Sequence, residues 1–288
     1  MRFLIITIFC LLQAATVIDA QTHAFLKRTL SDVPVKVADI TGDLAQYRPV
    51  FGSGDDDARE VKGISRFGYL SVDSGGSSSM VLYDNEEQIL FILEGTGTLL
   101  YGESKIPVTK NDFIYIPVGI KHGLANPRER TLKVIVMGYK IPDLTKINQT
   151  PHLMIANADE VPLQVLGQHG PTTQFKLLMG TTQSIRDRLA AAYQVNSLFI
   201  MDFAVGGTNI PHRHAREEEI YFMLRGAGEM VAGETADGKE VRYPVKEGDA
   251  FFFPPNTLIG FYSGTKEGEE HALILAVRSK YIPDDPGN

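Results

Sequence analysis

The chain has 288 residues, 43% of them hydrophobic and 22% charged, the profile of a soluble globular protein with room for two domains of ordinary size. A formal net charge of −7, with no block of basic residues to override it, argues against nucleic acid and anionic membrane surfaces as partners. The only cysteine, Cys10, lies at the extreme N-terminus, so neither disulfides nor thiolate chemistry serve the rest of the chain.

Residues 1–20 read as a signal peptide. Arg2 gives the positive start, residues 3–12 are an apolar run, and Ile18-Asp19-Ala20 precedes a cut at Gln21. The run falls short of the roughly 20 apolar residues that span a bilayer. The expectation is a secreted or periplasmic protein with no membrane attachment after cleavage. Residues 21–55 read as an N-terminal arm, 56–145 as a first β-barrel, 146–190 as a connector and 191–282 as a second barrel. The connector carries Pro151, Pro162 and Pro171, together with the sequon Asn148-Gln149-Thr150, a glycosylation acceptor in a eukaryotic source. Residues 184–193 predict a short helix ahead of the second barrel.

The two expected barrels are copies of one unit. Glu87-Gln88-Ile89-Leu90-Phe91-Ile92-Leu93-Glu94-Gly95-Thr96-Gly97 aligns with Glu218-Glu219-Ile220-Tyr221-Phe222-Met223-Leu224-Arg225-Gly226-Ala227-Gly228. Further on, Val108, Asp112, Pro117 and Gly123 align with Val245, Asp249, Pro254 and Gly260. Matched blocks in the same order indicate duplication. Short apolar runs ending in Gly or Pro, at 90–93, 113–116, 221–224 and 250–253, predict strands, with later ones at 134–137 and 272–277. Several are apolar at both parities, the pattern of a strand covered on both faces.

The candidate chemistry is concentrated in the second unit. His212 and His214 are two apart, so a strand projects both to one face and Arg213 to the other. A short turn, 215–218, precedes Glu219, whose carboxylate can reach the same point on the next strand. Two imidazoles and a carboxylate suit a divalent transition metal, Mn or Fe foremost, with Zn, Ni and Co also accommodated. Glu218 is a rival carboxylate; Glu219 is preferred because its alternate neighbours Tyr221 and Met223 then line the interior. Glu218 and Tyr221 are the candidate catalytic bases.

The spacing of Gly206, His212, His214, Glu219 and Gly226 resembles the first signature of cupin barrels. Pro117, Gly119, His122 and Asn126 resemble most of the second, with Asn111 in place of its leading Gly. The pair of matches resembles a bicupin, which implies an all-β fold of two tandem cupin barrels (double-stranded β-helix, or jelly roll). In the first unit Val81, Tyr83 and Gln88 stand where the ligands belong, so a barrel without metal is expected, with His122 a core or rim residue. In the second unit Ile259 stands where the fourth ligand belongs and Asn256 where a Gly does; His271 is a distant candidate to substitute for Ile259. The two-unit layout, the leader and the segments 200–203 and 243–249 are similar to the ureidoglycine aminohydrolase branch of bicupins. That resemblance implies manganese in the C-terminal barrel alone, although the ligand set of that branch differs from His212, His214 and Glu219.

Three functions fit this reading. The first is a metal-dependent enzyme acting on a small polar metabolite, the metal serving as Lewis acid. The second is an O2-dependent dioxygenase of bicupin type, which the open coordination positions and apolar Ile259 favour. The third is a non-catalytic small-molecule binding or storage bicupin. The resemblance also leaves room for a homo-oligomer.

Overall fold

The structure is a computed structural model and describes residues 25–142, 150–167, 169–264 and 270–283. The expected signal peptide, Cys10 and Asn148 lie outside the described residues. No described helix is long and apolar enough to cross a membrane.

In chain order the first half supplies β1 (Leu26–Thr29), β2 (Ala45–Gly52), β3 (Ile64–Val72), β4 (Glu86–Glu94), β5 (Thr96–Tyr101), β6 (Ser104–Thr109), β7 (Asp112–Ile116), β8 (His122–Ala125) and β9 (Leu132–Lys140). The second half supplies β10 (Met154–Asn157), β11 (Thr173–Thr181), β12 (Leu189–Ala192), β13 (Val195–Phe203), β14 (Thr208–His212), β15 (Glu217–Arg225) and β16 (Ala227–Glu234). It continues with β17 (Glu240–Lys246), β18 (Asp249–Phe253), β19 (Ile259–Ser263) and β20 (Ala272–Lys280). The N-terminal barrel joins a sheet ordered β10-β7-β4-β9-β3-β2 to a smaller one ordered β6-β5-β8. The C-terminal barrel joins β1-β18-β15-β20-β13-β11-β12 to β14-β19-β16-β17. The fold is two tandem jelly-roll barrels.

Strand parity sorts the apolar residues into three cores. Along β4, Leu90 and Ile92 fill the N-terminal barrel, while Ile89 and Phe91 face outward. Along β15, Tyr221 and Met223 fill the C-terminal barrel, while Ile220 and Phe222 face outward. The outward sets of both barrels meet in one shared core, which includes Phe67, Phe113, Tyr139, Leu275 and Val277. Runs apolar at both parities are therefore strands between a barrel interior and a partner barrel, as their sequence suggests.

The arm and the connector are not linkers. β1, from the arm, pairs with β18 of the C-terminal barrel (Leu26↔Phe252, Thr29↔Asp249). β10, from the connector, pairs with β7 of the N-terminal barrel (Met154↔Tyr115, Asn157↔Asp112). The two are equivalent, so the repeated unit starts with a strand that it gives to the other barrel. β2 and β11 then return each chain segment to its own sheet. The expected 21–55 and 146–190 boundaries are corrected accordingly. The helix expected over 184–193 is also absent. Leu189–Ala192 forms β12, parallel to β11, because Ala191 and Ala192 bury in the shared core and override the helical propensity of the segment.

Two departures from the cupin signatures are conformationally silent. Asn111 has φ 69° where its counterpart Gly248 has φ 84°, and Asn256 has φ 66° where Gly119 has φ 75°. Asn tolerates the left-handed region better than other residues with a Cβ, so each turn survives the loss of its glycine.

A pair of buried glutamates ties the barrels together. Glu87 is fully buried and accepts hydrogen bonds from the backbone N–H groups of Tyr193, Gln194 and Val195 (2.8, 2.7 and 3.2 Å), just ahead of β13. Its repeat counterpart, Glu218, accepts from the N–H groups of Lys62 and Gly63 (both 2.7 Å), just ahead of β3. Each barrel thus caps the entry to the other. Glu87→Ala orphans three N–H groups in the shared interface and is expected to cost about 3–5 kcal/mol. Denaturant unfolding that shifts by less than about 1 kcal/mol would contradict the cap.

Candidate metal centre

β14 ends at His212, whose backbone pairs with Ile259 of β19. The chain then turns, places His214 beyond the strand and enters β15 at Glu217. Arg213 is directed away from the barrel, hydrogen-bonding the Asn256 carbonyl and pairing with Glu234 at 2.7 Å. Glu219 stands on the inward parity of β15 and is 2% exposed. One donor atom from each of His212, His214 and Glu219 falls within 4.8 Å of the others. The two Nε2 atoms are 3.0 Å apart, and Glu219 Oε2 lies 3.2 Å from His214 Nε2.

This donor set fits a metal ion by three independent features. Glu219 Oε2 is buried and has no hydrogen-bond partner; its proximity to His214 lacks hydrogen-bond alignment. His212 Nδ1 donates to the Ile210 carbonyl (2.9 Å), which fixes the tautomer and leaves Nε2 as the lone-pair donor. His214 Nδ1 faces Glu217 Oε2 at 3.3 Å, an outer carboxylate of the kind that orients a ligating imidazole. Burial holds the His212 pKa below its usual value. Burial acts the same way on His214, but the Glu217 and Glu219 carboxylates outweigh it and push that imidazole up to about 9.

The centre opens into a cavity of about 350 Å³ lined by apolar Phe175, Leu177, Phe199 and Met201 and by polar Arg186, Ser197, Asn209 and Arg278. Ser197 Oγ, Asn209 Oδ1 and Arg278 Nε are buried without hydrogen-bond partners. Arg278 Nη1 lies 3.5 Å from the His214 ring nitrogens, and its Nε lies 3.4 Å from Glu217 Oε2. Orphaned polar atoms gathered around an apolar-walled cavity are what a small polar ligand satisfies.

The candidate bases are corrected. Glu218, the residue before Glu219, has the opposite parity and is committed to Lys62 and Gly63 at the other barrel. Tyr221 does line the cavity, but complete burial holds its phenol protonated well above the ordinary range, so it is no base at neutral pH. Its oxygen accepts from Asn209 Nδ2 at 3.3 Å. His271 cannot replace Ile259 as a ligand. It pairs with Asp202 at 2.7 Å, seven residues along the chain from Arg278, about 20 Å in an extended strand.

His169 is the residue that sequence reasoning missed. It comes from the expected connector, lines the cavity mouth, and sets its ring 5.6 Å from that of His212 and 5.0 Å from Phe175. Burial and the neighbouring His212 keep it below its usual pKa. Arg278 was missed as well. The available signal was its position in the repeat, because its counterpart on β9 is Gly138.

In the N-terminal barrel the equivalent positions hold Val81, Tyr83 and Gln88, with no second donor cluster among the described residues. His122, the counterpart of Ile259, is 5% exposed, and its Nδ1 faces the Ile120 carbonyl at 2.9 Å. The interior void is about 20 Å³, room for about one water.

The comparisons with known proteins agree with this architecture. The "Cupin domain" family matches residues 68–138 and 199–277, one match in each barrel. Germin-like protein subfamily 2 member 1 of Arabidopsis thaliana is 34% identical over 87 residues, 30% of this chain and 38% of that protein. The "Probable (S)-ureidoglycine aminohydrolase" of Oryza sativa subsp. japonica is 26% identical over 190 residues, 65% of this chain and 54% of the relative. The chain thus matches only part of the length of these curated relatives. The crystal structure of protein Ylba from E. coli superposes with a TM-score of 0.68 at 14% identity, covering 92% of this chain and 95% of that one, a likeness of fold. With both barrels matched and more than half of its length covered, this chain belongs to the cupin family and is a bicupin.

Proposed function

We propose that the protein is a secreted metal-dependent enzyme acting on a small polar metabolite, with one metal site in its C-terminal barrel. The observation that carries the reading is Glu219 Oε2, buried without a hydrogen-bond partner beside His214 and within 4.8 Å of both imidazole donors. Desolvating a carboxylate oxygen is costly; in the metal-free protein the charged His214 at 3.2 Å offsets part of that cost, and coordination would take the place of this ion pair. The leader at residues 1–20 supports the secreted location.

His212, His214 and Glu219 would hold the ion, Mn or Fe foremost, and bound there it would polarise a carbonyl or a water as a Lewis acid. The rest of the chemistry belongs to the chain. Phe175, Leu177 and Phe199 exclude bulk water from the cavity. Asn209 and Ser197 offer polar atoms to orient the substrate. His169, neutral at the mouth, is placed to accept a proton from a substrate over the centre. Tyr221 stays protonated. Ile259 denies the centre a fourth side-chain ligand, which also suits an O2-dependent reaction; oxygen consumption separates the two chemistries.

His212→Ala is expected to lose nearly all bound metal while the protein stays folded, since His212 is only half-buried and belongs to none of the three apolar cores. Stoichiometric metal in the purified variant would refute the assignment. Turnover of small polar substrates under argon supports the hydrolytic or isomerising reading, and turnover only with oxygen uptake replaces it with the dioxygenase reading.

Metal uptake should also release a proton. His214, held protonated up to about 9 in the metal-free protein, must give up its proton to ligate. Calorimetry in buffers of different ionisation enthalpy should find close to one proton released per metal at pH 7, and little above pH 10. The same raised pKa makes His214 stabilising in the metal-free protein below its unfolded value near 6.5. That contribution is lost as pH rises through about 9.

A further inference from the structure

We infer that the C-terminal cavity takes a carboxylate bound to Arg278, in the place that the chain's own Asp39 occupies in the N-terminal barrel. The inference names the substrate class of the site proposed above and so rests on that reading for its catalytic meaning. It is carried by comparing the two barrels.

Each barrel mouth is crossed by an equivalent strap. Lys36 bridges Tyr47 in the first barrel as Gln164 bridges Phe175 in the second. The turn that follows is closed by the same hydrogen bond in both, Thr41 N–H to the Ala38 carbonyl (3.1 Å) and His169 N–H to the Leu166 carbonyl (2.9 Å). By this register Asp39 corresponds to Gly167.

Each barrel also carries one arginine beneath the strap, on one of two paired positions. In the first barrel Arg66 of β3 is opposite Gly138 of β9. In the second, Ser197 of β13 is opposite Arg278 of β20. The arginine has exchanged strands, but it sits in both barrels against the same neighbour. The Arg66 guanidinium lies 4.5 Å from the Tyr83 ring centroid, and Arg278 lies 3.5 Å from His214, the counterpart of Tyr83.

The first barrel shows what this arrangement binds. Asp39 takes both Arg66 Nη groups at 2.8 and 3.1 Å, the two-pronged match of a guanidinium to a carboxylate. Tyr83 donates to the same carboxylate at 2.8 Å. Deeper in that barrel, beneath Tyr83, a void of only about 20 Å³ remains, while the Asp39–Arg66 pair itself borders a cleft of about 300 Å³ on the strap side. In the second barrel the strap offers Gly167 instead. A Cβ there would meet no atom within 4 Å, and the cavity is about 350 Å³. Arg278 keeps a buried Nε without a hydrogen bond, its contact with Glu217 being an ion pair at 3.4 Å. Arg186 is offset by the buried carboxylate of Asp187 at 3.7 Å, but a divalent ion and Arg278 together would still outweigh the Glu217 and Glu219 charges, so the loaded cavity favours an anion.

The test uses propionate and its uncharged twin propionamide, at constant ionic strength, with melting temperature and calorimetry as readouts and metal content measured throughout. Propionate is expected to stabilise the metal-loaded protein and propionamide not. Arg278→Gln should weaken propionate at least tenfold with metal retained, and Gly167→Asp, which supplies an internal carboxylate as in the first barrel, should abolish the response. In the barrel without metal ligands, Asp39→Gly should lower the melting temperature, and propionate alone should restore it. Equal responses to the two probes, propionate binding that survives Arg278→Gln, or no rescue of Asp39→Gly each overturns the inference. The Asp39→Gly rescue involves no metal ligand, so the carboxylate inference can stand or fall separately from the metal reading. If Gly167→Asp does not fold, the comparison of propionate binding to the unaltered protein and to Arg278→Gln decides the matter.

Discussion

The architecture depends on the fact that neither barrel can cover its own outer wall. Ile89 and Phe91 of β4 and Ile220 and Phe222 of β15 project away from their own interiors, and only the other barrel buries them. The shared core that results is a large fraction of the apolar burial, and no disulfide supplements it among the described residues, which hold no cysteine. Glu87 and Glu218 are the polar complement of that contact. Each is desolvated where the barrels meet and compensated by backbone N–H groups of the opposite barrel. A carboxylate bound so closely has no capacity left for catalysis, so Glu218, the residue next to inward-facing Glu219, has a structural role.

The same contact sets the geometry of the His212, His214 and Glu219 cluster. β15 is held between two cores, so its alternation cannot slip: even one residue of register would exchange Glu219 for Glu218 and put the inward carboxylate in the interface. His212 is fixed by its pairing with Ile259, and His214 by Glu217 and Arg278. The three side chains are thus preorganised by strands whose positions are decided elsewhere, so an ion bound there would not bear the cost of ordering them.

Much of this was legible in the sequence. The His-x-His spacing and the preceding and following glycines located the three side chains that converge, the two matched blocks located the barrels, and alternation along 218–223 chose Glu219 over Glu218 as the inward carboxylate. What escaped were features fixed by partners far away in the chain. β1 and β10 are four residues each, too short for a pattern, and their identity lies in the strands that accept them. The segment 184–193 has helical composition, but only 189–192 form an element, and they are buried as a strand. His169 lacks any motif of its own, and Arg278 is one charge at the end of an apolar strand. Both become visible only when the strap and β20 are set beside their counterparts in the first unit.

The exchanged opening strands bear on how such a chain could arise. A lone copy of the unit would have its first strand unpaired and its outer wall bare, and another identical molecule would satisfy both at once through a two-fold axis. Joining two copies end to end makes that encounter intramolecular, so assembly no longer depends on protein concentration. It also releases the copies from identity: one can carry Val81, Tyr83 and Gln88 where the other carries His212, His214 and Glu219, while each continues to brace the other.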